Sequence, residues 1–162
     1  MNHKNGNSTL ICALIVGGVL AFVGMGVRLW WGAPNEGILQ MGIRHLVPPV
    51  WLMGLLWTLW YFVLGAVLGA VLCTYGGHCI GAWRGAFFFL LMLFVGYVWY
   101  TLFFVRQNPL LAFLVILAVV VCAMLCALQW QGLSLAAGVV MWTHVLWLFY
   151  MLILQLMCLF NV

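Results

Sequence analysis

The fold is decided by the stretch QNPLLAFLVILAVVVCAMLCALQWQGLSLAAGVVMWTHVLWLFYMLILQLMCLFNV, residues 107–162, which contains no Lys, Arg, Asp or Glu. As one α-helix it would measure roughly 84 Å, at 1.5 Å per residue. The apolar core of a bilayer is only about 30 Å thick. The stretch must therefore fold back on itself, and the polar segment QWQGLS at 129–134 is the natural turn. It predicts two membrane-spanning helices, at about 109–130 and 133–160.

Charged residues divide the rest of the chain into further apolar runs, at 5–27, 45–83 and 85–105. Because a span needs about 20 mainly apolar residues, these runs predict helices at about 10–31, 49–74 and 84–104. We therefore expect an all-α integral membrane protein: a five-helix bundle forming a single transmembrane domain over residues 1–162. The long loop at 32–47 is either a lid over one mouth of the bundle or a solvated connection.

The composition excludes several classes of protein. Hydrophobic residues make up 69% of the chain, aromatic residues 16% and charged residues only 4%. A soluble domain is about one quarter charged, so this chain could not cover a water-facing surface. Its five Lys and Arg residues are scattered and form no basic patch, which excludes nucleic acid as a partner. Glu36 is the sole acid, which excludes catalysis by paired carboxylates.

The predicted fifth helix carries a polar stripe. His144, Trp147, Met151 and Gln155 follow one another at i, i+3, i+7 and i+11, so they share one helical face. Polar groups in a span usually face the interior of the bundle. The stripe indicates either hydrogen bonds that hold helices together or one wall of a cavity, and the sequence leaves both open.

The ten tryptophans are the second prominent feature. Those at predicted helix ends are explained by the aromatic belt at a membrane interface. Others lie inside spans, and Trp57 and Tyr61 share a face at i, i+4. Aromatic walls inside a bundle suit a flat, apolar, conjugated ligand, although large aromatic side chains also simply fill gaps between helices.

Small residues and cysteines give weaker signals. The G-x-x-x-G pairs Gly65–Gly69 and Gly81–Gly85 indicate close helix packing, and we favour packing within the bundle over packing in a homodimer. Six cysteines form no C-x-x-C pair. Cys73, His78 and Cys79 lie near one another in sequence, but they lack a further carboxylate or histidine, so we predict no metal site.

One segment of the second predicted helix resembles a known family. The residues PPVWLMGLLWTLWY at 48–61, followed by Gly65, resemble the P-P-x-W-x-x-x-x-x-W-x-x-L-Y-x-x-x-G signature of the translocator protein family, also called the tryptophan-rich sensory proteins or peripheral benzodiazepine receptors. The likeness continues through 99–104 and 109–112 to the fifth helix, where Leu135-Ala136-Ala137, Trp147 and Leu154-Gln155 are similar to the family pattern. The chain departs from that pattern at Thr143-His144, where the family has Pro-Tyr, and at Gln155, where it has Asn. No basic residue follows Tyr150, so the C-terminal cholesterol-recognition pattern is missing.

The resemblance implies a five-helix bundle, often dimeric, with a pocket that opens toward the first loop. It implies a membrane receptor or carrier for hydrophobic tetrapyrroles such as porphyrin or haem, or for another hydrophobic small molecule, with no required cofactor. If the chain acts as an enzyme, the reaction would be light-dependent porphyrin degradation, with Trp51 and Trp147 as redox-active residues. The alternative is a membrane-embedded binding subunit of a larger transporter.

The resemblance and the residue patterns together predict the ligand-binding residues Pro48, Pro49, Trp51, Trp57, Tyr61, Trp99, His144, Trp147 and Gln155. Trp51 and Trp147 match tryptophans that line the family's pocket. His144 would donate to a propionate or ligate haem iron, or would only pack against its neighbours. No mitochondrial presequence is visible, which favours a bacterial plasma membrane.

Overall fold

A computed structural model of the chain describes residues 3–31, 49–106 and 108–160. The predicted lid at 32–47 and the predicted site residue Pro48 lie outside these residues. The described part of the chain contains helices and turns and no strand.

The described residues form five long helices, which follow one another along the chain. They are α1 (His3–Trp31), α2 (Val50–Tyr75), α3 (Ile80–Tyr100), α4 (Pro109–Gln131) and α5 (Leu135–Phe160), and a π-helical turn, Thr101–Val105, continues α3. All five are long enough and apolar enough to cross a membrane. The predicted all-α bundle of five spans is confirmed.

Two of the predicted helix starts are wrong. Helix α1 begins at His3 instead of about residue 10, because polar residues continue a helix beyond its apolar stretch as long as their backbone groups stay paired. Helix α3 begins at Ile80 instead of 84, directly after the extended residue Cys79. Arg84 therefore lies inside the first turns of α3, where its side chain is exposed, so the charge does not mark a boundary.

Short connections reverse the chain between the last four helices. The backbone N–H of Leu111 donates to Asn108 Oδ1 at 3.0 Å, and Pro109 stands in the first turn, so α4 begins with a side-chain cap and a proline. The predicted turn at 129–134 is present, since the N–H groups of Leu133 and Ser134 both donate to the Trp130 carbonyl. We call the end of the bundle where α2 begins the loop end, and the end where α2 finishes the turn end.

Helices α1 and α2 pack directly backbone to backbone. A Cβ atom on Gly69 would lie 2.5 Å from the carbonyl oxygen of Cys12, and one on Gly65 would lie 2.8 Å from that of Val16. A Cβ atom on Gly17 would likewise lie 2.8 Å from the carbonyl oxygen of Phe62. These three glycines form what we call the glycine seam. The seam confirms that Gly65 and Gly69 serve packing within the bundle.

The other three helices form a second unit, in which α3 packs on α4 and α4 on α5. Gly85 belongs to this unit, because a Cβ there would overlap the indole of Trp130, which stacks on Phe89 with ring centroids 5.6 Å apart. Gly81 has no comparably close neighbour. Helix α2 approaches α3 and α5 less closely than it approaches α1, and large side chains fill the space between them.

Candidate ligand-binding site

An aromatic cluster joins α2 to α5 in the half of the bundle nearer the loop end. It consists of Trp57 and Tyr61 on α2 and of Trp147 and Tyr150 on α5. The rings of Trp57 and Tyr61 have centroids 5.8 Å apart, and those of Trp147 and Tyr150 are 5.5 Å apart. Trp57 meets Trp147 edge to face across the two helices, at 6.0 Å and an interplanar angle of 79°. The cluster thus presents several aromatic surfaces at one helix–helix boundary.

Helix α1 also shapes this cluster, although it contributes no ring to it. A Cβ atom on Gly24 would lie 2.6 Å from the Tyr61 ring, so the glycine leaves the room that the ring occupies. The position of α1 on α2 therefore helps to set the position of Tyr61.

The indole N–H of Trp147 is buried and has no hydrogen-bond partner within the described residues. A buried donor left unpaired costs about 1–3 kcal/mol. Other indoles of this bundle avoid that cost, since Trp60, Trp99 and Trp142 donate to side chains and Trp83 and Trp130 donate to backbone carbonyls. Trp147 Nε1 is therefore a donor available to a bound acceptor in the middle of an aromatic cluster.

His144 lies one turn of α5 from Trp147 and is engaged by α2. The Trp60 indole donates to His144 Nδ1 at 2.5 Å, and the histidine is 3% exposed. Because Nδ1 accepts this bond, it carries no proton, and the neutral imidazole holds its proton on Nε2. The interhelical hydrogen bond, one of the two interpretations of the polar stripe, is thus present at His144.

Gln155 ties three helices together near the loop end. The Trp99 indole on α3 donates to Gln155 Oε1 at 2.6 Å, and Gln155 Nε2 donates to the carbonyl of Pro109 on α4 at 3.1 Å. The Gln155 side chain is only 1% exposed, so water does not reach its amide group. The two hydrogen bonds therefore satisfy a buried polar group. Trp99 also stacks on Phe103, with centroids 5.6 Å apart and an interplanar angle of 11°.

The π-helical turn at Thr101–Val105 adjoins this network. The N–H of Arg106 donates to the Thr101 carbonyl five residues back, at 3.0 Å, and that wider turn contains Phe103, the stacking partner of Trp99. Turns of this kind occur often at functional sites. Periodicity in the sequence contains no signal for it, since a π turn inserts into a helix without interrupting the apolar pattern.

With this geometry established, comparison with known proteins identifies the family. A family model described as the TspO/MBR family matches residues 8–160. The chain belongs to the TspO/MBR family. The tryptophan-rich protein TspO of Archaeoglobus fulgidus is 30% identical to it over 105 residues, which cover 60% of this chain and 57% of that protein. The chain thus spans somewhat more than half of the length of this curated relative. No solved structure matches the chain.

Membership in the TspO/MBR family and five apolar spans make the chain an integral protein of a lipid bilayer. Large apolar side chains on the outward faces of the helices fit that setting, among them Phe22 on α1, and Phe87 and Phe94 on α3. A bacterial plasma membrane, a homodimer and a single domain stay predictions.

The structure brings together three of the predicted TspO/MBR site residues, Trp57, Tyr61 and Trp147. His144 and Gln155 lie on α5, the helix that carries Trp147, and each accepts a hydrogen bond from a tryptophan of another helix. Trp51 differs, because its indole is 70% exposed and lies outside the half-buried aromatic cluster. Pro49 is exposed at the start of α2. The ligand-binding roles of all nine predicted residues stay predictions.

Three contributors to the site were missed by sequence reasoning: Trp60, Phe103 and Tyr150. Tyr150 and Phe103 stand i+3 and i+4 from the predicted residues Trp147 and Trp99, so helical spacing contained a signal for both. Trp60 is different, since a pattern within one helix does not say which side chain of another helix it meets.

The described residues hold no group of three or more His, Cys, Asp and Glu side chains that could bind a metal ion. At His144, Nδ1 accepts from Trp60 and Nε2 carries the proton, so ligation of iron would require the bond from Trp60 to break. The arrangement is therefore suited to recognition by aromatic contact and a single hydrogen-bond donor.

Proposed function

We propose that this chain is a membrane receptor or carrier that binds a hydrophobic tetrapyrrole, such as porphyrin or haem, at the aromatic cluster between α2 and α5. The observation that carries the proposal is the buried, unpartnered Trp147 N–H among three further aromatic rings. The family to which the chain belongs supports a ligand of this class.

The chemistry of a porphyrin complements that of the cluster. Its macrocycle is flat, apolar and conjugated, so it gains free energy from stacking on aromatic rings and from leaving water. Its propionate groups are acceptors, and a hydrogen bond from the Trp147 N–H to an ionised carboxylate contributes about 1.5–3 kcal/mol. Arg106 is exposed at the loop end and would attract the same negative charge.

The spans hold no Asp or Glu, so the site has no carboxylate with which to move protons. Recognition of a ligand by ring stacking and by the Trp147 N–H requires no carboxylate. That composition favours a binding protein over an acid–base catalyst.

The test is a spectral titration of the purified chain with protoporphyrin, comparing wild type with Trp147→Phe. The substitution keeps an aromatic ring but removes the N–H, so we expect affinity to fall roughly 10- to 100-fold, the equivalent of one charge-assisted hydrogen bond. Trp83→Phe is the matched control, because Trp83 is exposed at the turn end and donates only to the Gly76 carbonyl. Equal affinities in wild type and Trp147→Phe would contradict the proposed site.

A further inference from the structure

Helices α1 and α2 also contact each other at the turn end, away from the aromatic cluster. The glycine seam brings the Cys12 carbonyl oxygen to within 2.5 Å of where a Gly69 Cβ would stand. Cys73 follows Gly69 by one helical turn on the same face of α2. At the same end, the hydroxyl oxygens of Thr9 and Thr74 lie 3.4 Å apart. The two backbones are thus close enough for short side chains to meet.

Cys12 and Cys73 are such a pair, because their side chains lie close enough to interact across the two helices. Both are free cysteines, Cys73 being exposed and Cys12 half-buried. Disulfides need Cα atoms about 4.4–6.8 Å apart, a spacing that helices reach only where small residues let the backbones approach. The seam provides that approach.

The remaining cysteines do not share these properties. Cys122, Cys126 and Cys158 are buried among the helices. Cys79 stands beyond the turn that ends α2, as the residue preceding α3. Cys73 is exposed and lies two residues before the end of α2 at Tyr75, at the edge of the membrane span and not in its middle.

We propose that Cys12 and Cys73 are a redox-active dithiol, which low-molecular-weight disulfides oxidise to an intramolecular disulfide that joins α1 to α2. The Cys73 thiolate attacks one sulfur of the reagent, whose S–S bond breaks and releases the first small thiol. The Cys12 thiolate then attacks the Cys73 sulfur of the mixed disulfide and releases the second. The protein loses two hydrogen atoms, and the reagent gains them as two thiols.

The positions of the basic residues make this disulfide easy to detect. The full-length chain is treated with oxidised glutathione, its remaining thiols are blocked, and it is digested with trypsin. Cleavage after Arg28 and Arg44 separates the peptide that contains Cys12 from the peptide that contains Cys73 and Cys79. We expect mass spectrometry to find the two peptides joined, and to find them separate after reduction.

Matched variants assign the bond to its two sulfurs. Cys79→Ser should keep the cross-link, whereas Cys73→Ser should lose it. Cys12→Ser should leave glutathione attached to Cys73, because the thiol that resolves the mixed disulfide is gone. Circular dichroism of each variant, repeated with Cys73→Ala and Cys12→Ala, shows that the loss of the cross-link does not come from unfolding.

Three results would overturn the proposal. One is a cross-link that survives in Cys73→Ser, which would make Cys79 the partner. Another is a wild-type chain in which Cys73 carries only glutathione. The third is a disulfide found only between two chains, seen as a dimer on a non-reducing gel. None of these results bears on porphyrin binding, which the Trp147→Phe titration tests separately.

Discussion

Helix α2 contacts α1 and α5 in different ways, by close backbone packing in one case and by aromatic side chains in the other. Toward α1 it contacts backbone along the glycine seam, and Gly17 and Gly24 of α1 leave room for the rings of Phe62 and Tyr61. Toward α5 it presents Trp57, which contacts the ring of Trp147, and Trp60, which donates a hydrogen bond to His144. The first contact is dense and leaves no room for a ligand. The second contains, among its aromatic rings, a buried donor that has no partner within the described residues.

The largest effect should come from the dense side. Gly69→Ala places a methyl group 2.5 Å from the Cys12 carbonyl oxygen, a rigid backbone atom, so α1 must move away. We expect a loss of about 1–3 kcal/mol in the free energy of unfolding, as for other overpacked sites. Gly18→Ala is the control, because a Cβ there meets nothing within 4 Å. Equal unfolding midpoints for the two variants would mean that the contact between α1 and α2 at Gly69 is not densely packed.

A somewhat smaller effect is expected at the loop end of the aromatic side. Gln155→Leu keeps the volume but removes the two hydrogen bonds that Gln155 makes, with the Trp99 N–H and with the Pro109 carbonyl. We expect a loss of about 1–2 kcal/mol in unfolding free energy, because these two hydrogen bonds are lost from a buried position. Gln131→Leu is the matched comparison, since it removes an exposed hydrogen bond from Trp142. If both variants unfold alike, Gln155 does not hold α3, α4 and α5 together.

The smallest effect is the coupling between α2 and α5 through Trp60 and His144. Trp60→Phe, His144→Phe and the double variant form a thermodynamic cycle measured by chemical unfolding. We expect a coupling energy of about 0.5–1.5 kcal/mol, the usual net worth of one hydrogen bond. Strictly additive losses would mean that this bond does not help to hold α2 against α5.

The spans, the turn at 129–134 and the packing role of Gly65 and Gly69 could be predicted from sequence. Each follows from a property of one segment: its length, its polarity or its spacing of small residues. The shared face of Trp57 and Tyr61 was predictable for the same reason, since helical periodicity fixes it.

The rest depends on contacts between segments. The sequence predicted a polar stripe on α5 but did not identify Trp60 and Trp99 as the tryptophans that bind His144 and Gln155. Trp51 carries the family motif as clearly as Trp57 does, yet only Trp57 lies in the aromatic cluster, because their side chains point in different directions around α2. The early start of α3 was missed because a charge near a helix end resembles a boundary.

Binding of the ligand by the Trp147 N–H can be observed in the indole N–H spectrum of the ¹⁵N-labelled chain during a protoporphyrin titration. Trp147→Phe assigns the Trp147 resonance by its disappearance. We predict that this resonance moves progressively as porphyrin binds, while that of Trp83 at the turn end stays in place. A Trp147 resonance that remains unchanged when the chain is saturated with porphyrin would contradict the account.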